Sequence, residues 1–223
     1  MQIKKSRKVL IYFFFLILLG SINNVSFNKI NLNQVKNIKI KGLEDSESKI
    51  LHKEIQNLNL QIFFLINSDK INQIINSNNL VENYKIKKIY PSTLDVHIKK
   101  TLLLAKINLE GELYYIGSNG KLLASNFSND ELPHIFGKAN IQEFLNLLKF
   151  IADSKISYEE IKSFYYFQSK RWDIKLKNNV IIKLSNTNIK KSLDIAYRFL
   201  DDNRFKNITI IDARIIDKII ING

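Results

Sequence analysis

The chain has no cysteine among its 223 residues, which excludes disulfides, thiolate metal sites and a cysteine nucleophile, so the fold must hold by packing alone. It has three histidines, His52, His97 and His134, at no spacing that suits a shared metal ion. Glycine is scarce, and none of the 7 glycines belongs to a phosphate-cradling run. Arginines do not cluster and no aromatic ladder accompanies the lysines. A formal charge of +13 therefore reads as a cationic solvated surface rather than a nucleic-acid site, although attraction to anionic lipid headgroups stays open. The carboxylate pairs Glu159-Glu160 and Asp201-Asp202 are sequence neighbours and cannot share a face of a helix or strand. The residues thus offer no constellation for catalysis, a cofactor or a metal, and the chain reads as non-enzymatic.

What is present begins at the N-terminus. Val9, Leu10, Ile11, Tyr12, Phe13, Phe14, Phe15, Leu16, Ile17, Leu18 and Leu19 form an unbroken apolar run directly behind Lys4, Lys5, Arg7 and Lys8. Residues 20–28 carry no charge, so the lysine and arginine asymmetry orients the N-terminus to the cytoplasm and exports the remainder of the chain. As a helix, residues 9–19 cross only about half of a hydrocarbon core roughly 30 Å thick, a length that suits a cleaved leader. Extended to Phe27, with the lysines snorkelling at the inner interface, the same stretch serves as an uncleaved anchor. Alanine is absent from residues 1–100, which leaves no good small-x-small cleavage pattern and favours the anchor. The expected organisation is a cytoplasmic tail at 1–8, a single transmembrane helix at 9–27 and an Asn-rich linker at 28–34.

Order begins at Val35. Ile38 and Ile40 alternate with Lys39 and Lys41 up to Gly42, as in a half-buried strand. Asp45 or Ser46 can cap a helix that buries Ile50, Leu51, Ile55 and Leu58. Residues 61–66 hold an apolar connector, and Asn67 or Ser68 can cap a second helix with Ile71, Ile74 and Ile75. A strand over 81–90 then turns at Pro91-Ser92-Thr93 into another, with Leu94, Val96 and Ile98 on one side and Asp95, His97 and Lys99 on the other.

The part from Leu102 onward alternates short strands with turns at Glu110-Gly111-Glu112 and Asn119-Gly120. A loop over 132–137 leads to a helix with a reciprocal cap from Asn140 and Glu143, burying Ile141, Phe144, Leu145, Leu148 and Ile151. An aromatic strand over 161–168 precedes a hairpin in which Trp172, Ile174 and Leu176 share a face, Asn178-Asn179 turns, and Val180, Ile182 and Leu184 return. Trp172 and the aromatics of 164–167 read as core. A helix over 187–202 and strands over 208–212 and 215–222 close the chain. The last strand is almost wholly apolar, and its periodicity leaves two readings open, a covered interior strand or an open edge that pairs with another chain.

In this order, YPSTLDVHIKK at 90–100, YYIGSNGKLLAS at 114–125, LPHIFG at 132–137, Arg171-Trp172 before the Asn178-Asn179 hairpin and ITIIDARIIDKIII at 208–221 resemble the bacterial division family FtsQ, also called DivIB. The resemblance spans residues 35–221. Lys99, Leu102, Ile215 and Ile216 depart from the family's pattern. The fold class implied is α+β: an N-terminal single transmembrane helix, a POTRA-like βααββ domain at 35–101, and a mixed, mainly antiparallel β-sheet domain with flanking helices at 102–223. The resemblance further implies a scaffold in the inner membrane at the division septum, its bulk periplasmic. Its partners would be FtsB- and FtsL-like coiled-coil membrane proteins and, through them, the septal peptidoglycan synthase. On this likeness Arg214, Ile215, Ile216, Asp217, Lys218, Ile219, Ile220 and Ile221 would form the partner-binding strand. A POTRA-type periplasmic polypeptide-transport or chaperone module with a cleaved leader is the alternative; it usually carries a following barrel, and no barrel-length series of strands remains after Lys100, which counts against it.

Overall fold

The computed structural model of the chain describes residues 3–22, 35–58, 68–124, 131–205, 207–215 and 218–222. The linker expected at 28–34, the connector at 61–66, the cap at Asn67 and the extension of the anchor to Phe27 lie outside the described residues. Helix α1 (Ile3–Ile22) is 20 residues long, and every side chain of the run 9–19 is exposed. Its early turns contain Lys4, Lys5, Arg7 and Lys8, and among the described residues no helix is long and apolar enough to cross a membrane.

The chain divides into two compact units, Met1–Ser77 with Tyr84–Lys99, and Asn78–Asn83 with Lys100–Gly223. In the first, β1 (Asn37–Lys41) runs parallel to β3 (Thr93–Lys100), which is flanked on its other side by β2 (Val81–Ile89). Helices α2 (Asp45–Gln56) and α3 (Ser68–Ser77) intervene in sequence. Leu51 and Ile55 of α2, Ile71 and Ile75 of α3, and Leu94, Val96 and Ile98 of β3 are buried and make the core of this unit. Ile50, expected in that core, is 60% exposed, because only one stripe of a helix can face a sheet and Leu51 with Ile55 occupies it. The expected cap at Asp45 or Ser46 is also displaced. The helix begins at Asp45, and Glu44 fills the cap position, its N–H donating to the Glu47 carboxylate at 3.1 Å. Gly42 takes φ +94°, and a Cβ there would lie 1.8 Å from the Ile98 carbonyl oxygen, so only glycine lets the chain leave β1 so close to β3. Asp95, expected to point to solvent with His97 and Lys99, is only 6% exposed. The His97 ring lies 2.9 Å from its carboxylate and the Lys41 Nζ 3.9 Å, and these longer side chains cover it. The hydrogen bond with His97 holds the Asp95 carboxyl below the ordinary carboxylate range, against the opposing effect of desolvation.

The second unit is built on a nine-stranded sheet of β4 (Leu103–Leu109), β5 (Glu112–Gly117), β6 (Leu122–Ala124), β7 (His134–Phe136), β8 (Ile161–Tyr166), β9 (Trp172–Leu176), β10 (Ile181–Leu184), β11 (Ile210–Ala213) and β12 (Ile220–Asn222). Their spatial order is β12-β11-β10-β9-β8-β7-β4-β5-β6. The hairpin pairs are antiparallel, while β4–β7, β7–β8 and β10–β11 are parallel. The segment 132–137, expected as a loop, supplies β7 in the interior of the sheet, between β8 and β4. Three residues are too few to show an alternation, which is why the strand is not legible from periodicity.

In-register neighbours form one apolar row across eight strands, Tyr114, Ile107, Ile135, Phe164, Ile174, Ile182, Ile211 and Ile221. Helix α4 (Ile141–Ala152) contributes Phe144, Leu147 and Ile151 to the same core, and α5 (Ile189–Asp201) contributes Leu193 and Ala196. Phe144 meets Phe164 edge-on at 5.2 Å, and Phe164 meets Trp172 at 6.3 Å, so these three pack as core, whereas Phe167, also expected there, is exposed beyond the end of β8. A fully buried side chain of this kind stabilises by about 1.5–3 kcal/mol, whereas an exposed ion pair gives at most about 1 kcal/mol, so the row dominates. Within α4 the buried leucine is Leu147, while Leu145 and Leu148 are half-buried. The Asn140 side chain accepts from the Gln142 N–H at 2.8 Å, but the expected reciprocal bond from Glu143 is replaced by one from the Tyr166 hydroxyl. A tertiary donor outcompetes the local cap.

Candidate partner-binding edge

Strand β11 is held in place from both sides. It lies parallel to β10, and the Ser192 hydroxyl of α5 donates to the Ala213 carbonyl at 2.8 Å while accepting from the Ser185 N–H at 3.1 Å. Ser192 is fully buried, so one short side chain ties the ends of two strands to the helix beneath them. On β11, Ile211 faces that helix and is fully buried, while Asp212 faces the other way. Arg214, two residues on, grips Asp212 with three charge-assisted hydrogen bonds, Nε to Oδ1 at 2.8 Å and to Oδ2 at 3.0 Å, and Nη2 to Oδ2 at 2.6 Å. That grip holds the Asp212 carboxyl below its usual range, with burial opposing it.

Across the sheet on the same face, Lys183 stands in register between Asp173 and Asp212. Arg171 also reaches Asp173, at 3.1 Å, yet Asp173 is only 5% exposed, and its desolvation pushes its carboxyl up despite those cations. The neighbouring aromatics Phe136 and Tyr165 stack at 5.0 Å and continue the rung towards the middle of the sheet. The rung therefore runs from aromatic to acidic, basic and acidic positions and ends at Ile220.

Strand β12 pairs antiparallel with β11, Ile211 opposite Ile221 and Asp212 opposite Ile220, and among the described residues no strand pairs with its far side. Ile220 is 57% and Ile221 37% exposed. Of the residues expected in a docking strand, only Ile220 and Ile221 are in extended pairing. Arg214 and Ile215 lie in an exposed bend, Ile216 and Asp217 lie outside the described residues, and the Lys218 N–H turns back to the Ile215 carbonyl at 3.1 Å. Ile219 is half-buried and packs against the core. Sequence reasoning missed the Lys183 rung, because register between strands distant in sequence leaves no trace in the order of residues.

The histidines do not converge. His52 lies on α2, His97 on β3 beside Asp95, and His134 on β7, where burial and then Lys106 push its imidazole below the ordinary range. Among the described residues no group of three or more His, Asp or Glu could hold a metal ion. The Tyr158 hydroxyl donates to the Leu104 carbonyl, and burial pushes its phenol well up, which keeps it a neutral donor.

Comparison with known proteins covers both units. The domain described as "POTRA domain, FtsQ-type" matches residues 33–100, and that described as "Cell division protein FtsQ/DivIB, C-terminal" matches residues 105–214. The cell division protein FtsQ of Rhizobium radiobacter is 23% identical over 142 residues, covering 62% of this chain and 68% of that protein. The cell division protein DivIB of Clostridium tetani is 27% identical over 186 residues, covering 74% and 69%. The match to FtsQ of Rhizobium meliloti, 24% identical over 149 residues, takes in 62% of this chain but only 46% of that longer protein. A solved structure of the major extracytoplasmic domain of DivIB from Geobacillus stearothermophilus overlaps 43% of this chain and 87% of its own at 10% identity and a TM-score of 0.33, a likeness too slight to bear on the fold. Two adjoining domain matches, in the order of the two units and at residues 33–100 and 105–214, leave one conclusion: the chain belongs to the FtsQ/DivIB family of cell division proteins.

Proposed function

We propose that the chain is a non-enzymatic, membrane-anchored scaffold of the bacterial division septum. Residues 9–19 hold it in the inner membrane with the N-terminus cytoplasmic, the POTRA-like and β-sheet domains work on the periplasmic side, and β12 receives FtsB- and FtsL-like coiled-coil membrane proteins, keeping them beside septal peptidoglycan synthesis. The observation that carries the reading is the unfinished apolar row, whose last member, Ile221, is 37% exposed where Ile211 beside it is fully buried. An added strand would continue the ladder through backbone hydrogen bonds, with alternate side chains beside Ile221 on one face and Ile220 on the other. The apolar run 9–19 lies within one helix directly behind Arg7 and Lys8, which can snorkel to the inner interface, and this order supports the anchor. Confinement to the membrane plane raises the effective concentration of membrane-bound partners.

The test is a membrane-fraction pull-down of the full chain, with intact mass on the recovered protein, compared with a truncation ending at Asp212. Retention of residues 1–27, together with loss of an FtsB-like coiled-coil partner on truncation, supports both anchor and edge. A cleaved leader overturns the anchor, and a folded truncation that keeps the same partners overturns the edge.

A further inference from the structure

The two segments that meet at one end of the three-stranded sheet carry many lysines and no carboxylate. Residues 35–41 hold Lys36, Lys39 and Lys41, and residues 83–93 hold Lys85, Lys87 and Lys88. The parallel register of β1 with β3, Asn37 opposite Thr93, brings the start of β1 beside the β2–β3 turn, and both the Lys36 and Asn37 N–H groups donate to the Ser92 carbonyl, at 2.9 and 3.3 Å. At that same end Ile89 and Tyr90 project, 47% and 60% exposed, with Lys87 and Lys88 before them. Along β2, Tyr84 and Ile86 are half-buried whereas Lys85 and Lys87 are exposed, so the two lysines face the side away from the helices, as Lys39 does on β1. Asp95, the carboxylate nearest to them on β3, is already taken up by His97 and Lys41.

We propose that this end of the first unit is a membrane-docking tip for the surface of an anionic bilayer, with Lys36, Lys87 and Lys88 on the headgroups and Ile89 and Tyr90 entering the interface. The proposal rests on the anchored reading above. The chain arrives from α1 at this end of the sheet, and residues 23–36 separate helix and strand, a span that cannot exceed about 50 Å even fully extended. A tether of that length keeps the tip within reach of the bilayer. An aliphatic and an aromatic side chain beside lysines is also the pattern of an interfacial contact, since tyrosine prefers the headgroup level and each lysine near an anionic surface is worth about fivefold in partition. An acidic protein segment would use the charge but not the apolar tip.

Because the chain has no cysteine, a single introduced one gives a unique label. The full chain carrying Ile89→Cys, labelled with the fluorophore NBD, is mixed with zwitterionic phosphatidylcholine vesicles and with vesicles in which about a quarter of the lipid is phosphatidylglycerol. Ser46→Cys, at the start of α2 and the opposite end of the sheet, is the control. The expected result is a blue shift at position 89, quenched by a spin label in the acyl region, only in the anionic vesicles, absent at position 46, and reduced at least tenfold by Lys87→Glu with Lys88→Glu in a protein of unchanged circular dichroism. Flotation in high salt reads the anchor separately. A chain that floats with both vesicles but gives the same emission at position 89 in each overturns the docking tip and leaves the anchor standing. A chain that floats only with anionic vesicles at low salt, with the shift, overturns the anchor and keeps the tip. No flotation at all overturns both, and an equal shift with soluble polyglutamate in place of lipid reassigns the tip to an acidic protein.

Discussion

The nine-stranded sheet ends differently on its two sides. At β6, the Asn79 side-chain amide donates to the Leu122 carbonyl at 2.8 Å, the Lys121 ammonium reaches the Asn78 carbonyl at 3.3 Å, and Leu123 is buried. A side chain thus occupies a backbone acceptor that another strand would need. At β12 the residues are Ile220, Ile221 and Asn222, with neither charge nor proline to discourage pairing, and the apolar side chains stand exposed. Edge strands are ordinarily blunted, by charge, proline, bulges or cover. One edge of this sheet is blunted and the other is left sticky, so the exposure at β12 is not simply what happens where a sheet stops.

The sharpest way to break that contrast is to put the same charge at both ends of one register pair. Ile211→Asp buries an unpaired carboxylate in a fully packed site and should cost several kcal/mol, enough to abolish the cooperative unfolding transition of the second unit. Ile221→Asp, directly opposite on β12 but already 37% exposed, should leave the melting temperature within about 3 °C of the parent while weakening capture of the coiled-coil partner at least tenfold. Circular dichroism melts paired with the membrane pull-down check this. Equal destabilisation by the two substitutions would mean that β12 is an ordinary core strand.

The same contrast between local and distant pairing decides what is legible in the sequence. The alternation around Ile38 and Ile40, the stripes Leu51 with Ile55 and Ile71 with Ile75, and the Asn178-Asn179 turn, where Asn179 adopts φ +70°, are local signals, and the elements form where those signals lie. β7 is hidden because it is short and its pairing partners are distant in sequence. Apolar content alone predicts a terminal strand of eight residues, yet among the described residues of that run extended pairing is found only at Ile220–Asn222, and the Lys218 N–H is instead spent on the Ile215 carbonyl. Burial of Asp95 and the lysine rung between Asp173 and Asp212 depend on inter-strand register, which no window along the chain contains.

A smaller effect separates the two carboxylates that flank Lys183. Asp212 has a depressed carboxyl in the folded protein, so its contribution to stability is present above the ordinary carboxylate range near pH 4 and is lost as pH falls through the folded value. Asp173 has a raised carboxyl, so its charged form costs stability at neutral pH, and acidification relieves that cost before the ordinary range is reached. Asp212→Asn should therefore lower the melting temperature by on the order of 3 °C at neutral pH, with the deficit shrinking below about pH 4. Asp173→Asn should be near neutral at pH 7 and become relatively worse than the parent in acid. Melting curves of both variants across that pH range check the signs. Parallel curves would mean that the rung next to β12 is held by packing rather than by its charges.

The smallest change expected is at the blunted edge. Removing the Asn79 amide with Asn79→Ala deprives the Leu122 carbonyl of its donor, but that site is exposed and water can replace the lost bond. The cost should be at most about 1 kcal/mol, or roughly 2–4 °C in melting temperature for a unit of this size. The set of partners recovered in the membrane pull-down should not change, since the strand thereby uncovered is three residues long with its central Leu123 buried. Recovery of a new strand-adding partner by Asn79→Ala would mean that the amide, rather than the length and burial of β6, is what keeps this edge closed, and that either end of the sheet can be made to pair.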